Sequence, residues 1–365
     1  MRRYGFAIVG TGNIAAAHVE AVQLLPNAHV AGVTSQNPRE ARRFADAHGV
    51  RAYGDLAEAL ADDAVQVVTV CTPSGAHLEP AVAAAAAGRH VVVEKPLEVT
   101  SERARAIIDA TDRAGVKLAT IFMGRFADAH RHLKEAIDAG RFGRLLQADG
   151  FVKWYRSQAY YDSAAWRGTW ALDGGGALMN QGIHQIDLLL WLMGPVDEVF
   201  AYAETLNHER LEVEDTLVAV MRYRNGALGT FAAATSLYPG RPKALDVHGT
   251  AGTVTIRDDH IVAWDLPDAT DEERAAVAAS ASGAASGTFA DPMAMSFENH
   301  RRQLEDFVHA LETDASPAID GPEGLRSLEL VEAIYRSVRE GRPVRLPGAP
   351  EQDAPAAADR APRGG

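Results

Sequence analysis

One cysteine in 365 residues, Cys71, excludes an internal disulfide and fits a reducing compartment. No apolar run approaches the roughly 20 residues of a membrane-spanning helix. The run Phe6-Ala7-Ile8-Val9 stops at Gly10-Thr11-Gly12-Asn13, too soon for the apolar core of a signal peptide, so a cytoplasmic protein without a membrane partner is expected. Positive charge is also scarce. Against 49 Asp and Glu stand 36 Lys and Arg, a net charge of -13, which argues against a nucleic-acid partner. What remains is ordinary globular material, 47% hydrophobic and therefore able to bury a large core, long enough for two domains at roughly 100 to 200 residues each.

Through the first 125 residues, runs rich in valine and isoleucine alternate with helical stretches. Strands are predicted at 6–9, 29–34, 65–71, 90–94 and 117–122, and helices at 15–25, 39–48, 56–61, 77–87 and 101–114. This is the βαβ pattern of a parallel sheet. After Phe126 the pattern changes to helices near 130–139 and 174–193, with strand candidates at 199–205, 216–223, 229–236, 243–249 and 252–258. That order predicts helices on one face of a mainly antiparallel sheet. The expected class is α/β, a doubly wound parallel sheet over 1–124 followed by an α+β domain over 125–348, with 349–365 as a disordered tail. Residues 302–312 and 323–338 have the periodicity of amphipathic helices packed on the domain body, and the small, bland stretch 275–288 suits a mobile loop or surface helix.

The first strand leads into Gly10-Thr11-Gly12-Asn13-Ile14-Ala15, a G-x-G-x-x-A opening a βαβ unit. Gly10 permits the tight turn, Gly12 lets the backbone approach a pyrophosphate, and Ala15 lets the helix pack close to the strand. A glycine-rich strand-to-helix turn is the plainer alternative. At the end of the second strand an Asp or Glu would hold the ribose hydroxyls of NAD. None stands there. The sequence Thr34-Ser35-Gln36-Asn37-Pro38-Arg39, with Arg42 and Arg43, offers hydroxyl and guanidinium groups suited to a 2′-phosphate and favours NADP over NAD, solvated helix arginines being the alternative. Thr72-Pro73-Ser74-Gly75-Ala76-His77 follows the next strand, where Thr72 and backbone amides can line a cofactor; His77 equally suits a helix start.

Glu94-Lys95-Pro96 ends the strand at 90–94, on the edge where parallel sheets bind ligands. The Lys95 ammonium can donate to a substrate hydroxyl and stabilise a developing alkoxide; a surface ion pair with Glu94 is the alternative. The richest segment runs from Gly174-Gly175-Gly176 to Gly194-Pro195. On a regular helix Asn180, His184 and Asp187 fall at i, i+4 and i+7, one polar stripe on an otherwise apolar surface. A buried histidine satisfied by two neighbours would explain the same stripe. One asparagine and one carboxylate make a poor transition-metal set, so no metal is expected. Between Lys153 and Trp170 aromatics and hydrogen-bonding groups are dense, and Tyr155, Arg156, Tyr161, Trp166 and Arg167 are candidate sugar contacts, with packing of the domain core as the alternative.

These motifs, in this order and over roughly residues 4 to 348, resemble the Gfo/Idh/MocA family of sugar and cyclitol oxidoreductases. The resemblance implies an N-terminal Rossmann domain, a C-terminal domain with a large open sheet that often mediates dimers or tetramers, and an active site between the two. It implies NAD(P) held by Gly10, Thr11, Gly12, Asn13, Ile14, Ala15, Ser35, Gln36, Arg39, Thr72, Pro73, His77, Glu94 and Lys95. It further implies Lys95 and His184 as the catalytic pair, with Asn180, where many relatives carry an aspartate, able to position but not to accept a proton. Lys95, Asn180 and His184 would also touch the substrate, a sugar, glycoside or cyclitol, with oxidation at C3 of a glucoside one form. Asp187 is a candidate orienter of His184, unless it turns to a second helix. Some relatives are instead glycosidases that oxidise transiently and eliminate, and a sensor that kept the nucleotide site is the non-catalytic alternative.

Overall fold

The computed structural model describes residues 3–281 and 297–348; the expected tail and the part of 275–288 beyond Ala281 lie outside the described residues. Five strands, β1 (Tyr4–Val9), β2 (Ala28–Thr34), β3 (Val67–Val70), β4 (His90–Val93) and β5 (Leu118–Thr120), form a parallel sheet in the order β2-β1-β3-β4-β5. Its crossovers carry α1 (Asn13–Gln23), α2 (Pro38–His48), α3 (Leu56–Ala61), α4 (Leu78–Ala86) and α5 (Ser101–Ala114). β3 reads Val-Val-Thr-Val and is wholly buried, because helices cover both faces of a doubly wound sheet. Local chemistry fixes the helix ends. Asn37 Oδ1 accepts the Arg39 N–H at the start of α2, Pro38 follows at the first helical position, and Gly49 ends the helix at φ 64°.

The second half contributes α6 (Asp128–Asp138), β6 (Leu145–Lys153), α7 (Gln158–Asp162), α8 (Ile183–Met193), β7 (Val196–Glu204), β8 (Thr216–Tyr223), β9 (Leu228–Ala234), β10 (Ala244–Gly249), β11 (Gly252–Arg257), β12 (His260–Asp265), α9 (Asp271–Ala281), α10 (Glu298–Thr313), α11 (Gly321–Glu340) and β13 (Val344–Arg345). Its eight strands lie in the order β12-β11-β10-β6-β9-β8-β7-β13, antiparallel throughout except for β6 with β9. The strand candidates omit β6, although it sits inside the sheet. Its Asp149-Gly150 breaks the local strand signal, and pairing with β9 and β10 on both edges overrides it. Gly150 answers a packing need: a Cβ there would meet Leu189 of α8 at 3.0 Å.

The last two helices cross back. Leu304, Phe307 and Val308 of α10 pack with Phe6, Val67, Val92 and Ile121, so the end of the chain completes one face of the first sheet. α11 lies against α5 and β5 on one side and α8 and β7 on the other, which ties the two sheets together around a shared core. Among the described residues no helix is long and apolar enough to cross a membrane. The outer face of the large sheet leaves Tyr202, Val218, Val220 and Leu228 exposed on neighbouring strands.

Candidate active site

The C-terminal ends of β1 to β4 open into a cleft of about 1810 Å³, closed on the far side by residues that follow β6 and by the start of α8. Gly10 has φ +116°, and a Cβ there would lie 2.5 Å from the Cys71 carbonyl oxygen, so this turn requires glycine. Gly12 is the N-cap of α1, and a Cβ on it would meet nothing within 4 Å: its open side faces the cleft. The cradle therefore fits a dinucleotide, whose pyrophosphate would meet the backbone N–H groups at the start of α1. Ala15 is fully buried and lets α1 pack on the sheet. Thr11, Asn13, Ile14, Ser35, Gln36, Thr72 and Pro73 line the cleft, while Arg39 lies with Arg42 and Arg43 in an adjoining surface hollow.

His77 lies outside this lining. Its buried ring lies between the carbonyls of Pro96, 2.9 Å from Nδ1, and Thr72, 3.1 Å from Nε2. Burial lowers its pKa, so the neutral ring donates to one of them and packs between the two loops that the cofactor-side motifs form. Glu94 is buried as well; it accepts the Lys95 backbone N–H at 3.1 Å and stands 2.8 Å from His18 Nε2. Burial would push Glu94 up, but the hydrogen bond and charge of His18 hold it at about 2. Burial would pull His18 down, and its neighbours Cys71 and Glu94 raise it to about 10. His300, 3.8 Å from Glu94, is pulled by burial to about 4 and stays neutral. The compact His18-Glu94-His300 group is thus closed by its own ion pair.

Lys95 reaches across the cleft, and its Nζ donates to the backbone carbonyl of Asn180 at 2.7 Å. Burial lowers the Lys95 pKa while Glu94 and Asp173 oppose the shift. Asn180 Nδ2 donates to the buried Asp173 carboxylate at 2.6 Å. His184 stands edge-on to Phe122, with ring centroids 6.1 Å apart. Burial, then the charges of Lys95 and Lys243, hold His184 well below its ordinary value, so it is a neutral imidazole able to take a proton.

The single stripe expected on this helix is not what forms. Residues Leu178–Gly182 make one π turn, and only from Ile183 does the helix become regular. A wider turn shifts the phase between Asn180 and the residues after it. Asp187 lies beyond that turn, three residues after His184 on the regular helix, and faces other partners. It receives Nε of Arg125 at 2.9 Å and Nη2 at 2.7 Å, with Ser327 of α11 at 3.1 Å, so of the two alternatives it takes the second, turning to another helix as a buried anchor. The three glycines ahead of the turn have a packing reason too. A Cβ on Gly176 would meet the Glu214 carbonyl oxygen at 1.7 Å, and Glu214 also accepts the N–H groups of Gly176 and Leu178.

On the aromatic wall Arg156 lies over the Trp154 ring at 5.0 Å, and Arg167 lies over Tyr160 at 4.2 Å and Trp166 at 4.6 Å. Both guanidiniums line the cleft with Trp166. Two other candidates do not. Tyr155 packs edge-on against Tyr238, and Tyr161 is buried with its hydroxyl 2.7 Å from Thr235 Oγ1, so both support the wall from behind. Trp154, Tyr160, Gln181 and Lys243 line the cleft without having been candidates, and Asp173 stands just behind it. Asp173 had a visible signal, a carboxylate immediately before three glycines; Lys243, far along the chain, had none.

A dinucleotide cradle and a lysine on one sheet, met by a neutral histidine from the other wall, define a nicotinamide-dependent oxidoreductase. Residues 4–122 match the model of the oxidoreductase family with an NAD-binding Rossmann fold, and residues 130–255 match the GFO/IDH/MocA C-terminal domain. The chain belongs to the Gfo/Idh/MocA oxidoreductase family. It is similar in structure to the WlbA dehydrogenase of Bordetella pertussis in complex with NADH and UDP-GlcNAcA, with TM-score 0.86, 36% identity, and coverage of 95% of this chain and 98% of that one. In sequence it is 27% identical to myo-inositol 2-dehydrogenase of Thermotoga maritima over 93% of this chain and 97% of the relative. It is 28% identical to D-xylose 1-dehydrogenase (NADP(+)) 2 of Haloferax volcanii over 93% and 99%.

Proposed function

We propose that this NAD(P)-dependent oxidoreductase moves hydride between the nicotinamide and a secondary hydroxyl or ketone of a sugar, with Lys95 and His184 as the acid-base pair. The observation that carries this is the convergence of Lys95 Nζ, held at 2.7 Å by the Asn180 carbonyl, and the neutral His184 on a cleft shared with the Gly10-to-Ala15 cradle. When bound, the nicotinamide supplies the hydride acceptor. His184 takes the hydroxyl proton, and Lys95 donates to the same oxygen as negative charge develops there. Because the ring is held below its usual 6.5, the acidic limb of kcat/KM falls below pH 6.5, and His184→Ala removes that limb. A limb unchanged in His184→Ala would place the base elsewhere.

The finer substrate is an acidic sugar carried on a nucleotide, the class of UDP-GlcNAcA. Arg167 supports this reading: it stands in the cleft held by a phenol and two ring faces rather than by a carboxylate, ready for a bidentate anion. The volume of the cleft leaves room beyond a nicotinamide for a long substrate. For the cofactor, NADP is favoured by Ser35, Gln36 and Arg39 after β2, a stretch that has no Asp or Glu between Thr34 and Arg39 to hold the ribose hydroxyls of NAD. A second copy of the chain fits the exposed apolar face of the large sheet, giving a homodimer or homotetramer.

Reduced-nicotinamide absorbance, followed with both cofactors against UDP-GlcNAcA, neutral sugars, glycosides and inositols, tests the assignment. Turnover is expected to be greatest with the acidic sugar nucleotide and with NADP, and Arg167→Ala should raise its KM about tenfold or more while leaving neutral sugars unaffected. Preference for a neutral sugar, unchanged in Arg167→Ala, would overturn the acidic substrate; a higher kcat/KM with NAD would overturn the cofactor preference.

A further inference from the structure

Asp173 precedes Gly174 and is almost wholly buried, yet it is held by a backbone amide and a side-chain amide rather than by a cation. Its Oδ2 accepts the Gly168 N–H at 2.9 Å and its Oδ1 accepts Asn180 Nδ2 at 2.6 Å. A carboxylate only accepts, so the Asn180 side chain must turn its NH₂ toward Asp173 and its Oδ1 away. The backbone carbonyl of the same Asn180 takes the Lys95 ammonium. Carboxylate, amide residue and ammonium therefore stand in one row.

We infer that Asp173 is a positioning residue of this site, fixing the Asn180 amide and through it the backbone carbonyl that holds the Lys95 ammonium. The inference rests on the reading of Lys95 as the acid-base lysine. Burial raises the Asp173 pKa, while the Gly168 N–H, the Asn180 amide, Lys95 and Arg167 favour the carboxylate; a neutral asparagine would satisfy the same Gly168 N–H without that cost. The charge has a use only through what it faces. Those groups are Lys95 after β4, Arg167 on the aromatic wall, and the Tyr160 and Tyr161 phenols of α7. Lys95 alone among them also binds Asn180.

Three variants test it: Asp173→Asn, Asn180→Asp, and the two together. Competitive labelling of Lys95 with an amine reagent across pH, read by mass spectrometry, reports its titration without any turnover. In Asp173→Asn the lysine should titrate about one unit lower, and the alkaline limb of kcat/KM should move the same way. Asn180→Asp alone sets two carboxyls in contact, so they share a proton, and turnover at pH 8 should drop about tenfold or more. The double variant exchanges amide and carboxyl, restores the hydrogen bond in reverse, and should recover most of that loss. Unchanged labelling in Asp173→Asn, or a double variant no better than Asn180→Asp, would overturn the inference. Should Asp173→Asn fail to fold, the comparison of the other two decides. A wild-type protein with no turnover on any sugar would sink the proposed function, while the labelling experiment would still report on Asp173.

Discussion

Lys95→Ala is expected to lower kcat about 10³-fold while leaving the dissociation constant of the reduced cofactor within about threefold of wild type. Removing one preorganised donor from a developing oxyanion typically costs about 10² to 10³ in rate. Lys95 belongs at the upper end, because its side chain does two things: it faces the cleft and it bonds the Asn180 carbonyl. Burial also matters. A desolvated ammonium interacts more strongly with charge forming beside it than a solvated one does. Cofactor affinity should survive because the cradle is made by backbone around Gly10 and Gly12, which Lys95 does not support. Stopped-flow reduction at saturating substrate, with cofactor binding followed by nicotinamide fluorescence, checks both halves. A kcat within about fivefold of wild type would remove Lys95 from the chemistry.

The second large effect lies in the core rather than in the cleft. Asp187→Asn should lower unfolding stability by roughly 3 to 5 kcal/mol, because it strips a buried Arg125 of its bidentate partner. Arg125 and Asp187 are 7% and 1% exposed as side chains, so water cannot replace the lost bonds. Glu323, 2.9 Å from Arg125 Nη1 and partly exposed, compensates only in part. Urea denaturation gives the number. If the penalty comes from the orphaned charge, Arg125→Met combined with Asp187→Leu should recover most of the loss. A single Asp187→Asn variant as stable as wild type would mean that the pair contributes nothing to this interface.

The first sheet was legible because its elements obey local rules. Glycines at 10, 12 and 49, a cap at Asn37 and runs such as Val67-Val68-Thr69-Val70 each act within a few residues, and the parallel βαβ reading follows from them. β6 was not legible. Its pairing partners lie about 80 to 110 residues later in the chain, and they hold Asp149 and Gly150 in a strand that these residues do not favour by themselves. Among candidate site residues the same division holds. Gly10, Gly12, Thr72, Lys95, Asn180 and His184 reach the cleft, whereas Tyr155, Tyr161 and His77 brace it from outside.

The sequence by itself determined the residue types and the order of the motifs: a dinucleotide turn, a lysine at a strand end, and a histidine after three glycines. Those are properties of neighbouring residues, and short-range sterics and hydrogen bonding express them directly. Only the tertiary structure decided how the polar groups after Gly174 divide. A π turn at Leu178–Gly182 sets Asn180, which meets Asp173 and Lys95, apart from the regular helix after it. On that helix His184 lines the cleft, and Asp187 meets Arg125 and Ser327 because α11 and the Arg125 segment pack on that side. Such a turn depends on what packs around it, here the buried Glu214 that accepts Gly176 and Leu178, and that partner comes from some 38 residues further along the chain.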